Sequence, residues 1–185
     1  GSTFKRDVKN LMERLKKGIP QLFESQEYIN MKKEIMETYE RQAGSFFKAL
    51  DQKVKEEGFT IVDVQMGQLK RPEVMPVVDD KPVPIDQLEA LVEKGRFSQA
   101  EFETLKEKHA ILRRQIDQIF LELRDLQKEV NENIEKMDRA AFMKTATDLV
   151  QPLFEKYSTK KIQKYFQEML EDMADNLKIF SPQST

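Results

Sequence analysis

The sequence predicts a mainly α-helical fold: an elongated antiparallel coiled-coil hairpin with a helical base and a small β-hairpin excursion. Three observations lead to this prediction. Residues 102–140 place mostly apolar side chains at alternating three- and four-residue steps, which is the a/d pattern of a coiled-coil helix. Residues 28–54 carry a second apolar stripe at helical spacing. The stretch between the two stripes contains a β-rich run, so the helices should return on each other around it.

Two helices are predicted before the β-rich run. Residues 1–24 form a short helix and a connection, because Gly18 and Pro20 should end the helix there. Residues 25–57 form the first long helix, which Ser25 caps. Its apolar side contains Tyr28, Met31, Ile35, Tyr39, Ala43, Phe46, Leu50 and Val54.

Residues 58–97 are predicted to form the small β excursion and a short helix. The excursion opens with a run of β-branched residues after Gly58 and turns near Gly67. Pro72 and Pro76 should restrict the second extended run to an edge or irregular strand. Asp86 is expected to cap the short helix that follows.

Residues 98–151 are predicted to form one long heptad helix, which begins at the capping-box pattern of Ser98 and Glu101. Pro152 should end it, and residues 152–185 should form a C-terminal helix, over about 159–179, and a tail. The a/d seam consists of Phe102, Leu105, His109, Leu112, Ile116, Ile119, Leu123, Leu126, Val130, Asn133, Met137 and Ala140. Its two polar members, His109 and Asn133, are interpreted as residues that set the register of the coil.

Composition narrows the classes of function. Charged residues make up 35% of the 185 residues, yet the formal net charge is only −2, which is typical of solvated helix faces. A basic stripe is missing, so nucleic acid is not an expected partner. Neither a membrane-spanning stretch nor a signal peptide is visible, and the absence of cysteine fits a cytoplasmic protein without disulfides. Gly1-Ser2 resembles a remnant of an expression tag, so we expect a piece of a larger protein.

No catalytic, cofactor-binding or metal-binding residue is predicted in this chain. His109 is the only histidine, and the carboxylates recur at helical spacing, which favours solvated faces over acid/base or metal sites. Ser158 precedes two lysines, but this cluster is better interpreted as a helix cap with a solvated first turn. The carboxylates concerned are Glu34, Glu37, Glu40, Glu168, Glu171 and Asp172.

The aromatic and methionine side chains exceed what the seam needs. Most of them should lie in the core of the base, and a minority should form an adaptable apolar surface for unfolded chains or partner helices. The residues predicted for this substrate or partner surface are Phe46, Phe47, Phe97, Phe142 and Met143.

Three segments together resemble the helical insertion of Lon-like AAA+ proteases of the LonB/LonC type. The first contains Phe4-Lys5-Arg6-Asp7, Leu11, Leu15 and Ile19-Pro20, and leads into Phe23-Glu24-Ser25-Gln26-Glu27-Tyr28. The second contains Gly58-Phe59 and then Met75-Pro76-Val77-Val78-Asp79-Asp80-Lys81-Pro82-Val83, with Asp80 where glycine is usual. The third is the long charged coil through Asp138-Arg139 to Leu149, Leu153 and Tyr157. The resemblance covers essentially the whole chain, and the Phe-Glu-Ser run is its most specific part.

The resemblance implies an architectural role. In that family the helical region lies inside the ATPase module, and a Ser-Lys peptidase domain follows it. The parent would then be an ATP-dependent endopeptidase, assembled as a homohexamer, that uses ATP and Mg if its ATPase site is intact. This piece would carry no active site, and would position or gate unfolded or damaged protein substrates at the entrance of the ring. The alternative from the residues alone is a standalone coiled-coil adaptor or chaperone-like binding module.

Overall fold

A computed structural model describes residues 1–180, which form six helices and three strands. These elements confirm the mainly helical fold with one long helix and a small antiparallel sheet. In chain order the elements are α1 (Ser2–Glu24), α2 (Gln26–Glu56), β1 (Phe59–Met66), β2 (Leu69–Val78), β3 (Lys81–Pro82), α3 (Ile85–Glu93), α4 (Gln99–Lys156), α5 (Lys160–Asp175) and α6 (Leu177–Phe180). The end of the predicted tail, residues 181–185, lies outside the described residues. The described residues divide into a central unit, Tyr39–Gln127, and a terminal unit that contains Gly1–Thr38 and residues 128–180.

The terminal unit has a core made by α1, the start of α2, the end of α4, α5 and α6. The core side chains follow helical spacing on each element, so every helix buries one stripe and exposes the rest. The buried residues are Leu11, Leu15, Ile19, Phe23, Tyr28, Phe142, Ala146, Val150, Phe166, Leu170, Met173, Ala174 and Leu177. This is the helical base that the sequence predicts.

Helix α1 continues through the residues that were expected to end it. Gly18 and Pro20 both lie inside the helix, so the predicted stop was wrong. Proline removes only one backbone hydrogen bond at this point, whereas continuation of the helix buries Ile19 and Phe23 in the core of the terminal unit. Helix α1 ends at Glu24. The hydroxyl of the next residue, Ser25, accepts a 3.3 Å hydrogen bond from the backbone N–H of Tyr28, which confirms its capping role for α2.

Helix α4 likewise passes through Pro152, and it ends at Lys156 instead of residue 151. Val150 is buried and Leu153 packs against the core of the terminal unit, so the apolar stripe of α4 continues on both sides of the proline. The next helix begins after Thr159, which replaces the expected cap Ser158. A turn at Asn176 then divides the predicted last helix into α5 and α6.

The seam of α4 is buried or half-buried from Phe102 to Val130. Phe102, Leu112, Ile116, Leu123 and Val130 are all buried, and the hydroxyl of Ser98 accepts a 3.3 Å hydrogen bond from the backbone N–H of Glu101 at the predicted start. The burial of these residues and the cap at Ser98 therefore confirm the long helix that the heptad pattern predicts.

The register of the seam changes after Val130. Asn133 and Ala140 are exposed, so the predicted role of Asn133 inside the coil was wrong. Buried positions now recur at four-residue steps, as in Phe142 and Ala146. A straight helix drifts about 20° per heptad against a strict seven-residue repeat, so its buried face moves away from the a/d positions.

In the central unit α2 and α4 pack antiparallel. Leu50 and Val54 of α2 share a core with Leu112 and Ile116 of α4. Glu57, the residue after α2, lies 3.5 Å from Lys108 of α4, measured from Oε2 to Nζ. Residue numbers thus rise along one helix as they fall along the other, as a helical hairpin requires.

The β excursion is a hairpin with a short third strand. β1 pairs antiparallel with β2 through its whole length, and β2 pairs at its end with the two residues of β3. Gly67 has a positive φ of 65°, as the first central residue of a type II′ hairpin turn needs. Asp79 and Asp80 have φ of 52° and 62°, the left-handed pair of a type I′ turn. The third strand was not expected from the sequence.

The hairpin and α3 complete the central unit. Phe59 and Val74 pack with α2 and α4, and Leu88 of α3 is fully buried. Pro84 stands at the N-cap of α3, so Asp86 lies in the first turn and is not the cap. An acidic side chain there still favours the helix dipole.

Candidate binding cleft

The inner face of the β-hairpin and the two long helices of the central unit enclose an apolar cleft of about 330 Å³. α2 and α4 each contribute two side chains to it, and side chains of β1 and β2 line the opposite side. We call this the aromatic cleft; it is lined by Phe47, Leu50, Ile61, Asp63, Pro72, Ile116 and Phe120. Since six of these seven side chains are apolar, the cleft suits an apolar side chain of a partner.

Two aromatic rings stand at the opening of the aromatic cleft. The rings of Phe47 and Phe120 lie 6.3 Å apart between centroids at an interplanar angle of 65°. This edge-to-face arrangement is worth roughly 0.5–1.5 kcal/mol beyond the area that it buries. Phe47 nevertheless remains 46% exposed and Phe120 36% exposed. Exposed aromatic side chains beside an apolar cleft are typical of a surface that binds another chain.

A second cleft of about 260 Å³ adjoins the aromatic cleft and shares Pro72, Ile116 and Phe120 with it. Besides Val74, its remaining wall is charged and carries both signs, with Arg71, Glu73, Arg113 and Asp117. The carboxylate of Glu73 lies between the two guanidinium groups, with Oε1 at 3.5 Å from Nε of Arg71 and Oε2 at 3.6 Å from Nη1 of Arg113. Balanced charge on this wall gives no preference for a strongly acidic or basic partner.

The tip of the hairpin carries a separate pair of exposed apolar side chains. Met66 and Leu69 face each other across the turn, at the last pair of the β1–β2 register. They are 59% and 75% exposed, the latter the highest value among the large apolar side chains of the described central unit. A flexible methionine beside an exposed leucine can adapt to apolar partners of different shape.

The structure separates the five residues that the sequence singled out. Phe47 lies at the aromatic cleft, and Phe46 beside it is half-buried, as is Phe97 in the segment between α3 and α4. Phe142 is 1% exposed and belongs to the core of the terminal unit, with Met143 packed against that core. The prediction that Phe142 takes part in an exposed surface was therefore wrong, because α4 turns it towards the core.

Sequence reasoning missed most of the lining of the aromatic cleft. Phe120 directly follows Ile119 of the seam, so the helical period places it beside the buried stripe and towards its edge. This offset could have singled it out. Ile61 and Pro72 reach the cleft only through the fold of the hairpin over the helices, and a single strand carries no signal for that.

The terminal unit contains the ionisable groups with altered pKa. Burial raises the pKa of Asp138, and the hydrogen bond from Tyr28 partly opposes this rise. Hydrogen bonds from Lys156 and Tyr157 lower the pKa of Asp7, with Oδ2 at 2.8 Å from Nζ of Lys156 and 2.7 Å from the hydroxyl of Tyr157. Both carboxylates connect segments that are distant in sequence. This structural role accounts for their contacts, and no catalytic role is needed to explain them.

His109 lies half-buried on α4 with its ring centroid 6.4 Å from that of Phe59. Among residues 1–180 there is no group of three or more histidine, cysteine or carboxylate side chains placed to hold a metal ion. Within the same range none of the helices has the length and apolar character to cross a membrane.

Comparison of the chain with protein-family models, with curated proteins and with solved structures gives no match.

Proposed function

We propose that this chain is the non-catalytic helical insertion domain of a Lon-like ATP-dependent protease, and that it positions or gates unfolded protein substrates at the entrance of a AAA+ ring. The observation that carries the substrate-contact part is the aromatic cleft, with Phe47 and Phe120 exposed at its opening. The placement in a Lon-like parent is supported by the resemblance of the Phe-Glu-Ser run, the β excursion and the coil.

The proposed role needs weak, repeated contacts and no chemistry in this chain. A cleft of about 330 Å³ accepts one or two apolar side chains, which gives modest affinity for any single segment. Copies of the domain around a homohexameric ring would raise the effective concentration of such sites, so a substrate could remain attached while it moves. The rest of the parent chain would supply the Ser-Lys peptidase and, where its ATPase site is intact, the ATP and Mg chemistry.

Site-specific photocrosslinking tests the substrate-contact proposal. The crosslinking amino acid p-benzoyl-phenylalanine is placed at position 47, or at position 165 as a matched control. Phe47 and Tyr165 are 46% and 48% exposed, so the two positions differ in location and hardly in accessibility. We expect reduced, carboxymethylated α-lactalbumin to crosslink at position 47 more than at position 165, and native α-lactalbumin at neither. Equal yields at the two positions would contradict the proposal.

A standalone coiled-coil adaptor or chaperone-like module is the alternative, and the same cleft would serve it. The two functions differ in what surrounds the chain. An upstream nucleotide-binding loop and a downstream Ser-Lys peptidase in the full coding sequence would support the protease, and their absence would support the adaptor.

A further inference from the structure

The hydrogen-bond pattern of the hairpin decides which backbone groups of β1 reach its outer edge. The N–H of Val77 donates to the carbonyl of Gly58 at 2.9 Å, so these two residues form a hydrogen-bonded pair. Along an antiparallel ladder such pairs alternate with pairs whose backbone groups point away from each other. The backbone N–H and C=O groups of Ile61, Asp63 and Gln65 therefore point away from β2.

The outer edge of β2 is protected. Pro72 and Pro76 occupy positions whose backbone groups point away from β1, so these prolines remove no hydrogen bond from the β1–β2 ladder. The carbonyl of Pro76 accepts a 2.9 Å hydrogen bond from the N–H of Val83, which confirms that it faces outward. Lys70 and Arg71 precede the prolines. Proline and basic side chains are the usual means by which proteins prevent strand addition at an edge.

The outer edge of β1 has no such protection. Its sequence, FTIVDVQM, contains no proline, lysine or arginine and is rich in β-branched residues. Within residues 1–180, β2 is its only strand partner. An eight-residue strand with a row of outward-facing N–H and C=O groups can accept another extended chain.

We propose that the outer edge of β1 binds extended, uncharged, β-prone segments of non-native polypeptides as an added strand; this substrate class rests on the function proposed above. The added strand makes backbone hydrogen bonds to Ile61, Asp63 and Gln65. Backbone hydrogen bonds are independent of sequence, so they suit a domain that must bind many different substrates.

Side chains of the added strand determine which segments fit. Alternate residues of a strand point to opposite faces of the sheet. On one face they lie beside Ile61 and the aromatic cleft, and on the other beside Val62 and Val64 of β1. Apart from Asp63 and Gln65 near the turn, both faces offer apolar neighbours, so the best partner is a mainly apolar run. Such runs belong to strands that are buried on both faces in native proteins, and they are exposed only when those proteins are not folded.

Charge supports this choice of partner. Asp63 is the only charged residue of β1, whereas the facing strand β2 carries Lys70, Arg71 and Glu73. A strongly charged segment would find at most the single carboxylate of Asp63 along β1 and would lose hydration beside an apolar cleft. An uncharged segment matches the edge.

Two N-methylated peptides test the proposal. Each is a fluorescein-labelled run of valine, isoleucine and phenylalanine with two lysines at each end, and each carries the same number of backbone N-methyl groups. In the first peptide the methyl groups lie on alternate residues, so one edge keeps all its donors. In the second they are divided between the two edges. We expect the second peptide to bind about tenfold more weakly by fluorescence anisotropy, because each lost hydrogen bond costs roughly 1 kcal/mol.

A matched pair of variants locates the binding edge. Gln65 and Lys70 are register partners beside the same turn, and the backbone N–H of each points away from the hairpin ladder. We expect Gln65→Pro to weaken binding of the first peptide by about tenfold, because it removes a donor from β1 and places a ring on its edge. Lys70→Pro changes the opposite edge and should leave binding unchanged. Circular dichroism melts check that both variants fold. If Gln65→Pro does not fold, the two N-methylated peptides alone test whether a strand is added.

Equal binding of the two peptides, or equal loss in the two proline variants, overturns the proposal. Self-association of the chain that Gln65→Pro abolishes also overturns it, because a second copy would then occupy the edge. The failure of strand addition is distinguishable from failure of the proposed function. If unfolded α-lactalbumin crosslinks at position 47 but the two peptides bind equally, the proposed function stands and only strand addition at the edge of β1 is ruled out.

Discussion

The hydroxyl of Tyr28 donates a 2.5 Å hydrogen bond to Oδ1 of Asp138, across 110 residues of sequence. The contact joins the first turns of α2 to α4 in the terminal unit. Tyr28 is buried, and its ring packs edge-to-face on Phe23 with centroids 5.0 Å apart. One side chain thus connects α1, α2 and α4, since Phe23 belongs to α1.

The Tyr28–Asp138 hydrogen bond makes a stability prediction. Tyr28→Phe keeps the ring but leaves a half-buried carboxylate without its donor. We expect a loss of roughly 1–3 kcal/mol in the free energy of unfolding at pH 7, measured by urea denaturation. Tyr39→Phe, at the other tyrosine of α2, which is half-buried, is the control and should change stability by less than about 0.5 kcal/mol. Equal effects of the two variants would contradict a specific role for this hydrogen bond.

The pH dependence of stability tests the contacts of Asp7. Hydrogen bonds from Lys156 and Tyr157 hold the pKa of Asp7 below its ordinary value of 3.8. A lowered carboxyl pKa stabilises the folded state above the unfolded-state pKa, and this stabilisation is lost as the pH falls through the lower folded-state pKa. Asp7→Asn should therefore lower the urea midpoint at pH 6, and the difference from the parent chain should disappear near pH 2. A difference that persists undiminished at acid pH would contradict the ionised contact.

How far the sequence predicts the fold depends on whether a signal is local. The capping residues Ser25 and Ser98 act within one turn, and both were predicted correctly. Pro20 and Pro152 were expected to end helices, yet both lie inside them. A proline costs a helix interior roughly 3 kcal/mol, and burial of one or two large apolar side chains offsets such a cost. That burial comes from other helices, so a local pattern cannot report it.

The same distinction applies to the aromatic cleft. Phe47 was predicted as a surface residue because it adjoins Phe46 on the same helix. Phe46 already occupies the position in the apolar stripe of α2, so Phe47 falls outside that stripe. Phe142 has the same local appearance, but the helices of the terminal unit bury it. The cleft itself exists only where the β-hairpin lies over α2 and α4, and the sequence between the helices does not specify that position.

The core of the central unit can be tested with one substitution at two positions of α4. Ile119 packs against this core, whereas Ile111 is 50% exposed. Ile119→Asp places a charge in an apolar environment and should lower the free energy of unfolding by roughly 2–4 kcal/mol. Ile111→Asp makes the same chemical change in solvent and should cost less than about 1 kcal/mol. Similar melting temperatures for both variants would argue against the buried seam.

The second turn of the β excursion carries a residue under backbone strain. Asp80 has a φ of 62°, in the left-handed region where glycine is favoured. Asp80→Gly should raise the free energy of unfolding by about 0.5–1 kcal/mol, because glycine adopts this conformation without a steric cost. Asp80→Ala retains the Cβ atom, and alanine tolerates the left-handed region less well than aspartate, so it should lower stability instead. Thermal melts of the two variants at equal protein concentration measure the sign, and stabilisation by alanine would contradict a left-handed residue here.

The aromatic cleft predicts that capture of unfolded protein and stability can be changed separately. Phe47 is largely exposed and contributes its ring to the opening of the cleft, so Phe47→Ser removes apolar contact area from a bound segment and little from the core. We expect the affinity for reduced, carboxymethylated α-lactalbumin to fall by about tenfold in a pull-down titration, which is the usual effect of an aromatic at the centre of an interface. The melting temperature should change by only a few degrees. Tyr165→Ser removes an aromatic ring of similar exposure in the terminal unit, and its affinity should equal that of the parent chain. If the two serine variants lose affinity equally, capture depends on general surface hydrophobicity, and the aromatic cleft is not the site of contact.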